Sequence, residues 1–270
     1  LATGHYVETR PGPDGIELYQ AADSDRDQSY FLYGTTREQL DFLRFPLGGL
    51  VKSEVRRLGA GLGLPVAEKP DSQDICFVPS GRYTDVIARL RPDAVAEGEI
   101  VHVDGRVLGR HRGTVNYTVG QRRGLGLAGG EPLFVIAVEP ASRRVVVGPR
   151  SALTTTRLIL RDINWIGPGE PPDAGEPREM AVRVRSTRPP QPATVVFDGD
   201  GAASVLLHGP EHGIAKGQAC VFYADEGPTA RVLGGGFIRD TVRRDEWVGD
   251  AITIAGRTRT SAPSPVRGVA

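Results

Sequence analysis

Apolar residues recur at helical spacing most clearly at Val51, Val55, Leu58 and Leu62, which fall on one face, and Gly63 stands where a C-cap glycine belongs. This spacing predicts a helix over 52–62. Upstream, Asp14-Gly15 separates two short runs and predicts a hairpin turn. In the run from Asp23 to Leu32, Asp or Ser can cap a helix, with Tyr30, Phe31, Leu32 and Tyr33 on its inner side. Downstream, Ile75-Cys76-Phe77-Val78 is short and apolar and reads as a strand or a pocket wall. A short helix is expected from Tyr83 to Leu90, stopped by Pro92.

Beyond Glu97 the patterning turns to strands. Asp104-Gly105 lies between two strand-like runs, 99–103 and 106–109, and predicts a hairpin. Runs 133–138 and 143–147 predict a second hairpin. Five further strands are expected at 181–185, 194–197, 204–207, 218–223 and 231–233, with 167–177 as a Pro/Gly loop. Short strands at regular spacing predict a small barrel. Cys220 alternates into one of them and reads as core. The tail from Gly256 lacks periodicity and is expected to be disordered. The expected division is therefore 1–92, a β-rich 93–155, a barrel 156–255 and a tail 256–270.

Charge does not point to a partner by itself, because 33 basic and 33 acidic residues cancel. Any RNA-binding surface must be local. Thirty of the basic residues are arginines; the lysines are Lys52, Lys69 and Lys216. Arginine suits phosphate forks and stacking. Between Gly105 and Gly130 lie five arginines and no acid, including Arg112, Arg122 and Arg123. That patch reads equally as a phosphate site or as a solvated surface. Gly124-Leu125-Gly126-Leu127-Ala128-Gly129 fits a dinucleotide fingerprint in letters only, because a strand rather than a helix is expected to follow it.

Two cysteines make no disulfide framework and no zinc quartet, which points to a reducing cytoplasm. No apolar run reaches membrane-spanning length and no signal peptide is visible, so no membrane partner is expected. Cys76 stands where the polar loop Lys69-Pro70-Asp71-Ser72-Gln73-Asp74 enters an apolar run. A reactive sulfur and an inert buried one both fit that place.

The segments DSQDICFV, with GLPVAEKP before it, and YTVGQRRGLGL together resemble the tRNA-specific 2-thiouridylases (the MnmA/TrmU family). The resemblance runs from Ala2-Thr3-Gly4-His5-Tyr6 to Gly234-Gly235-Gly236-Phe237-Ile238. It implies an α+β multidomain protein: the C-terminal part of an α/β PP-loop nucleotide-binding domain, a small β-rich central domain and a C-terminal β-barrel. It implies ATP-dependent 2-thiolation of the wobble uridine of tRNA, with ATP, expected with Mg2+, adenylating the C2 oxygen. Cys76 would carry a persulfide loaded by a sulfur-donor protein, a cysteine desulfurase or a sulfur relay protein. A nearby positive group would help the sulfur ionise, and Lys69 is a candidate by proximity. Gly4 would contact ATP. His5, Arg26, Asp27, Gln28, Arg185, Ser186 and Gln218 would meet tRNA, together with Arg112, Arg122 and Arg123 of the basic patch.

The chain departs from the family pattern at three points. Arg26 replaces a lysine. The Ser-Gly-Gly-x-Asp-Ser phosphate loop and the first catalytic cysteine with its adjacent aspartate do not occur, and Cys220 falls in the barrel. With Leu1 in place of a methionine, an N-terminal truncation or a late-starting gene is suspected, and the chain alone is expected not to thiolate tRNA. A catalytically inactive tRNA-binding module and a sulfur carrier using Cys76 alone are the alternatives.

Overall fold

The computed structural model describes residues 1–65, 95–127 and 130–243. Cys76 and its flanking run, the helix expected at 83–90 and the tail lie outside the described residues.

The first segment opens with a hairpin, β1 (Glu8–Gly12) and β2 (Gly15–Tyr19), in which Gly12 pairs with Gly15. Gly15 has φ +112°, a conformation that favours glycine and fixes the expected turn. Helix α1 (Ser29–Leu32) is a single turn, shorter than the expected helix from Asp23. Tyr30 and Tyr33 point inward, but Phe31 is 65% exposed. Three-residue spacing puts the two tyrosines on one side and turns Phe31 away from it. Helix α2 (Arg37–Phe42) starts at a capping box, with Thr36 and Gln39 satisfying each other's backbone N–H. Helix α3 (Lys52–Gly61) and Gly63 at φ +65° appear as expected. Its predicted inner face differs, because none of its residues is buried and Leu62 beyond it is 75% exposed.

The central sheet has β3 (Glu97–His102), β4 (Val107–Arg112), β5 (Phe134–Glu139) and β6 (Arg144–Gly148) in the order β4-β3-β6-β5. Both expected hairpins form, and a parallel β3–β6 pairing joins them. Ile100, Val135, Val145 and Val147 make its core, and Leu125 of the glycine-rich loop folds into it. That loop runs into β5 rather than a helix, so no dinucleotide fingerprint exists there.

The remaining strands are β7 (Thr154–Trp165), β8 (Pro177–Arg183), β9 (Gln191–Phe197), β10 (Ala203–His212), β11 (Ala219–Tyr223) and β12 (Val232–Arg243). They close a barrel in the order β10-β7-β12-β11-β8-β9. The barrel has six strands, not the expected five. The additional strand is β7, whose Arg157, Arg161 and Asp162 interrupt the apolar alternation and whose Asp162 bends at φ +54°. Strand β12 carries Gly234-Gly235-Gly236 where it crosses β7. A Cβ on Gly234 would collide with the Asn164 carbonyl, so closure requires glycine there.

Alternation along β11 serves two cores. Cys220 and Phe222 point into the barrel, with Leu158, Val205 and Ile238. Val221 and Tyr223 point outward and are covered by Val7, Leu18, Tyr30, Leu40 and Phe45 of the first segment. Polar groups register this second core. The Ser29 and Tyr223 hydroxyls lie 2.9 Å apart, Tyr30 Oη donates to the Ala219 carbonyl at 3.0 Å, and Asn164 Nδ2 donates to the carbonyls of Tyr33 and Thr35. Arg231 pairs with Glu17 at 2.7 Å, both side chains mostly buried. The first segment therefore folds against a barrel that begins more than a hundred residues later in the chain.

Candidate nucleic-acid interface

The loop before α1 is built around Asp27. Its Oδ1 accepts the N–H groups of Ala21 and Ser29, both at 3.1 Å, and its Oδ2 accepts Ser29 Oγ at 2.8 Å. Arg183 of β8 donates Nη1 to the same Oδ2 at 2.5 Å, with the Asp27 side chain only 2% exposed. The carboxylate of Asp27, a residue expected to meet tRNA, is filled from inside the fold. Gln28 is half-buried, its Oε1 accepting the Tyr6 N–H at 2.9 Å and its own N–H donating to the Tyr6 carbonyl at 3.0 Å. This ties down the strand-like entry of the chain. Gly4 and His5 sit beside it, both exposed, with His5 Nδ1 and Thr3 Oγ1 2.7 Å apart. The entry makes one parallel bridge, Ala2 to Arg44, rather than a strand. Arg26 projects outward at the tip of the loop.

Arg185 and Ser186 follow β8 directly. Arg185 Nη2 donates to the carbonyls of His212, at 2.8 Å, and Gly213. The guanidinium of Arg185, a residue expected to meet tRNA, is thus turned onto the barrel's own backbone. Gly213, at φ +67°, abuts Gly120 of the central domain: a Cβ on it would lie 2.8 Å from Arg185 Nη2 and 3.3 Å from the Gly120 Cα. The close approach of two glycines lets the loop Tyr117–Arg123 meet the barrel.

Backbone bonds stiffen that loop. Gly120 donates to the Val135 carbonyl at 2.8 Å and Val135 to Gln121 at 2.9 Å. Gln121 accepts the Thr118 N–H and donates to the Arg123 carbonyl at 2.9 Å. Arg122 and Arg123 are left exposed on a fixed platform. Arg112 is exposed too, on a backbone held by Asn116, which donates to the Arg112 carbonyl at 3.0 Å. His111, buried behind it, accepts the Gly113 N–H on Nδ1, so Nε2 carries the proton and donates to the Arg143 carbonyl at 3.1 Å. Its role is structural.

A cleft of about 570 Å³ opens between sheet and barrel, lined by Tyr117, Ile136, Ile214 and the ion pair Lys216–Asp240 at 2.6 Å. Gln218 lies in the adjoining turn. Its Oε1 accepts the Ala215 N–H at 3.3 Å and its carbonyl accepts Ile238 at 2.7 Å. Burial pushes the Cys220 thiol well above its ordinary range, so this sulfur stays protonated and out of reach.

For a nucleotide, the fit can be judged at Gly4. A Cβ there would meet only Leu47 Cδ1 at 3.7 Å, so the fold itself tolerates a side chain and the bare backbone suits a closely approaching ligand. Among the described residues no group of three His, Cys, Asp or Glu side chains gathers to hold a metal. No helix of the described residues is long and apolar enough to cross a membrane.

Three family models match in sequence order: a tRNA methyl transferase HUP domain over residues 1–80, a tRNA methyl transferase PRC-barrel domain over 84–149 and an aminomethyltransferase beta-barrel domain over 155–238. Curated relatives carry a different activity in their names. The chain is 65% identical over 240 residues to a tRNA-specific 2-thiouridylase of Methylobacterium radiotolerans, covering 88% of this chain and 62% of that protein. It is 57% identical to the one from a Bradyrhizobium strain, covering 99% of this chain and 66% of the relative. The homologue from Parvibaculum lavamentivorans is 56% identical, with 98% and 66% covered. The chain thus spans a little under two thirds of the length of these relatives.

Proposed function

The chain belongs to the tRNA-specific 2-thiouridylase family, and from that premise we propose that it serves in ATP-dependent 2-thiolation of the wobble uridine of tRNA, in the cytoplasm, with sulfur delivered through Cys76. The observation that carries this reading is the convergence of three sequence-distant segments. The loop 26–28 touches Arg183, the turn 185–186 follows it, and Arg185 reaches Gly213, which abuts the basic loop 117–123. Exposed His5, Arg26, Arg112, Arg122 and Arg123 take the phosphates and sugars, with Ser186 and the Nε2 of Gln218 as further donors.

When bound, ATP, with Mg2+, would supply the adenylate group that turns the uridine C2 oxygen into a leaving group. Gly4 offers it bare backbone. The terminal sulfur of a Cys76 persulfide, loaded by a cysteine desulfurase or relay protein, attacks C2 as AMP departs. A second thiolate then attacks the Cys76 sulfur, breaking the S–S bond to release thiouridine and closing a disulfide. Cys220 is not that second thiol, because it is sealed in the barrel.

The test is tRNA affinity against salt concentration. Replacing Arg112, Arg122 and Arg123 by alanine should lower affinity and flatten the log–log slope by roughly 0.7 to 0.9 for each phosphate left unneutralised. An unchanged slope would return the patch to solvated surface.

A further inference from the structure

We propose that Arg183, which no sequence motif singles out, is a positioning residue that latches the RNA-facing loop of the first segment to the RNA-facing turn of the barrel. The latch rests on the tRNA-binding reading above for its purpose, but its geometry stands independently. One guanidinium is divided between two elements. Nη1 donates to Asp27 Oδ2 at 2.5 Å, while Nε donates to the Arg185 carbonyl at 3.2 Å and Nη2 to the Ser186 carbonyl. The two side chains of the ion pair are 8% and 2% exposed. A buried charge pair of this kind is tolerated when its remaining hydrogen-bonding positions are filled, and here they are: Asp27 also receives Ala21, Ser29 N–H and Ser29 Oγ.

The consequence is visible beside the latch. A groove of about 470 Å³ has Ser24 and Asp25 on the first-segment wall and Ser186, Thr187 and Arg188 on the barrel wall, with Arg183 between them. Gln20, whose N–H donates to the Ala230 carbonyl at 3.1 Å, and Tyr30, whose Oη donates to the Val184 carbonyl at 3.4 Å, tie the same two parts nearby. The planar fork sets the spacing of Asp27 from the 185–186 turn, and Arg26, adjacent to Asp27, is carried with it. Lysine cannot substitute, because its single ammonium can answer Asp27 but cannot span to both carbonyls in a fixed plane.

The test uses the full chain with Arg183→Met and, from the other side of the pair, Asp27→Asn. Hydrogen exchange is measured first, without RNA. In Arg183→Met, which removes every donor of the fork, the amides of Ala21 and Ser29 and those of 186–188 should exchange faster together, while the paired β9–β10 amides keep their protection. Loosening of only one wall, or of neither, overturns the latch. Binding of a tRNA transcript is measured next, below the melting transition. The expected result is a Kd raised roughly tenfold or more, the size of one missing charge-assisted hydrogen bond. The salt slope should be shallower by about 0.7 to 0.9 as Arg26 leaves its phosphate. Asp27→Asn, which keeps one of the two acceptor oxygens and sets an NH2 group against the donors of the other, should loosen the same two walls. Both walls loosening with tRNA binding unchanged overturns the positioning role. A wild-type chain that binds no tRNA sinks the functional reading and with it the purpose assigned to Arg183, whereas exchange still decides whether the two walls are coupled.

Discussion

Alkaline pH should undock the first segment from the barrel, because the junction is closed by two buried tyrosines. Tyr30 is 9% exposed and Tyr223 fully buried, and desolvation raises each phenol from 10 to about 12. Below pH 10 both rings are neutral in folded and unfolded protein alike, and they add no pH dependence. Between 10 and 12 the unfolded chain loses these protons and the folded chain keeps them. The unfolded state then binds fewer protons, so stability falls as pH rises. At pH 11 the difference is somewhat over ~1 kcal/mol for each ring and ~3 kcal/mol for the pair. That is a large share of the ~5–15 kcal/mol that holds a typical domain together. Cys220, Tyr19, Tyr33 and Tyr117 are raised as well and deepen the loss in the same direction, so substitution of the two rings is needed to isolate their share.

Urea unfolding by circular dichroism at pH 8, 10 and 11 measures the loss directly. With an m value of about 1–3 kcal/mol/M, the midpoint should drop by roughly 1–3 M between pH 8 and 11. Absorbance at 295 nm on the folded protein should show at least two of the seven tyrosines titrating late. The Tyr30→Phe, Tyr223→Phe double variant should be weaker at pH 8, by about 1 kcal/mol for each hydrogen bond removed, yet flatter toward pH 11. If all seven phenols titrate near 10 and the midpoint does not move, the rings are in water and the junction is not sealed as described.

Cys76→Ser, in protein joined to the phosphate-loop half of a relative and loaded by a cysteine desulfurase, should abolish both the added sulfur seen by mass spectrometry and 2-thiouridine formation while sparing tRNA binding. Cys220→Ser should accept sulfur as before and lose about 1–3 kcal/mol in urea unfolding, from a hydroxyl buried in the barrel. Gly213→Ala should part the central sheet from the barrel, since its Cβ would press on Arg185 and Gly120. Its tRNA Kd should rise several-fold, with a scattering profile broader than that of the parent, and unchanged values of both would remove the glycine contact from the interface.

Local signals carry much of the fold. Asp14-Gly15 and Asp104-Gly105 announce their hairpins because a turn's conformational demand is written in the turn itself. Gly63 ends α3 for the same reason. Pairings across long separations leave no such mark: nothing near Val101 or Val146 says that β3 and β6 run parallel. The capping box at Thr36 and Gln39 is legible in the letters alone, whereas β7 is hidden by arginines that a barrel strand can carry on its outer face. At the site, Arg112, Arg122 and Arg123 are exposed, as both the phosphate and the solvated-surface readings of the basic patch require. The inward turn of Asp27 is not legible, because its partner lies 156 residues away. One clue exists: Arg183 interrupts the apolar run Met180-Ala181-Val182 and Val184, and a charge in such a place needs a buried partner.

An arginine count is therefore a poor measure of RNA affinity in this chain. Arg37 donates to the Gly167 and Gly169 carbonyls, Arg44 to Asp41 and Leu43, Arg183 to Arg185 and Ser186, and Arg185 to His212 and Gly213. Each uses guanidinium geometry to satisfy two backbone carbonyls at once, near in the chain for Arg44 and Arg183 and far for Arg37 and Arg185, work a lysine's single nitrogen does poorly. Arg231 and Glu17 neutralise each other at the junction. What distinguishes Arg112, Arg122 and Arg123 is that neighbouring bonds hold their backbone while the side chains stay exposed. Holding the main chain beforehand lowers the ordering cost of binding. With net charge zero, long-range attraction contributes little, and affinity has to come from such prepared contacts, each releasing its own counterion. The salt slope then counts prepared arginines rather than arginines, and it should be far smaller than a chain with thirty of them would lead one to expect.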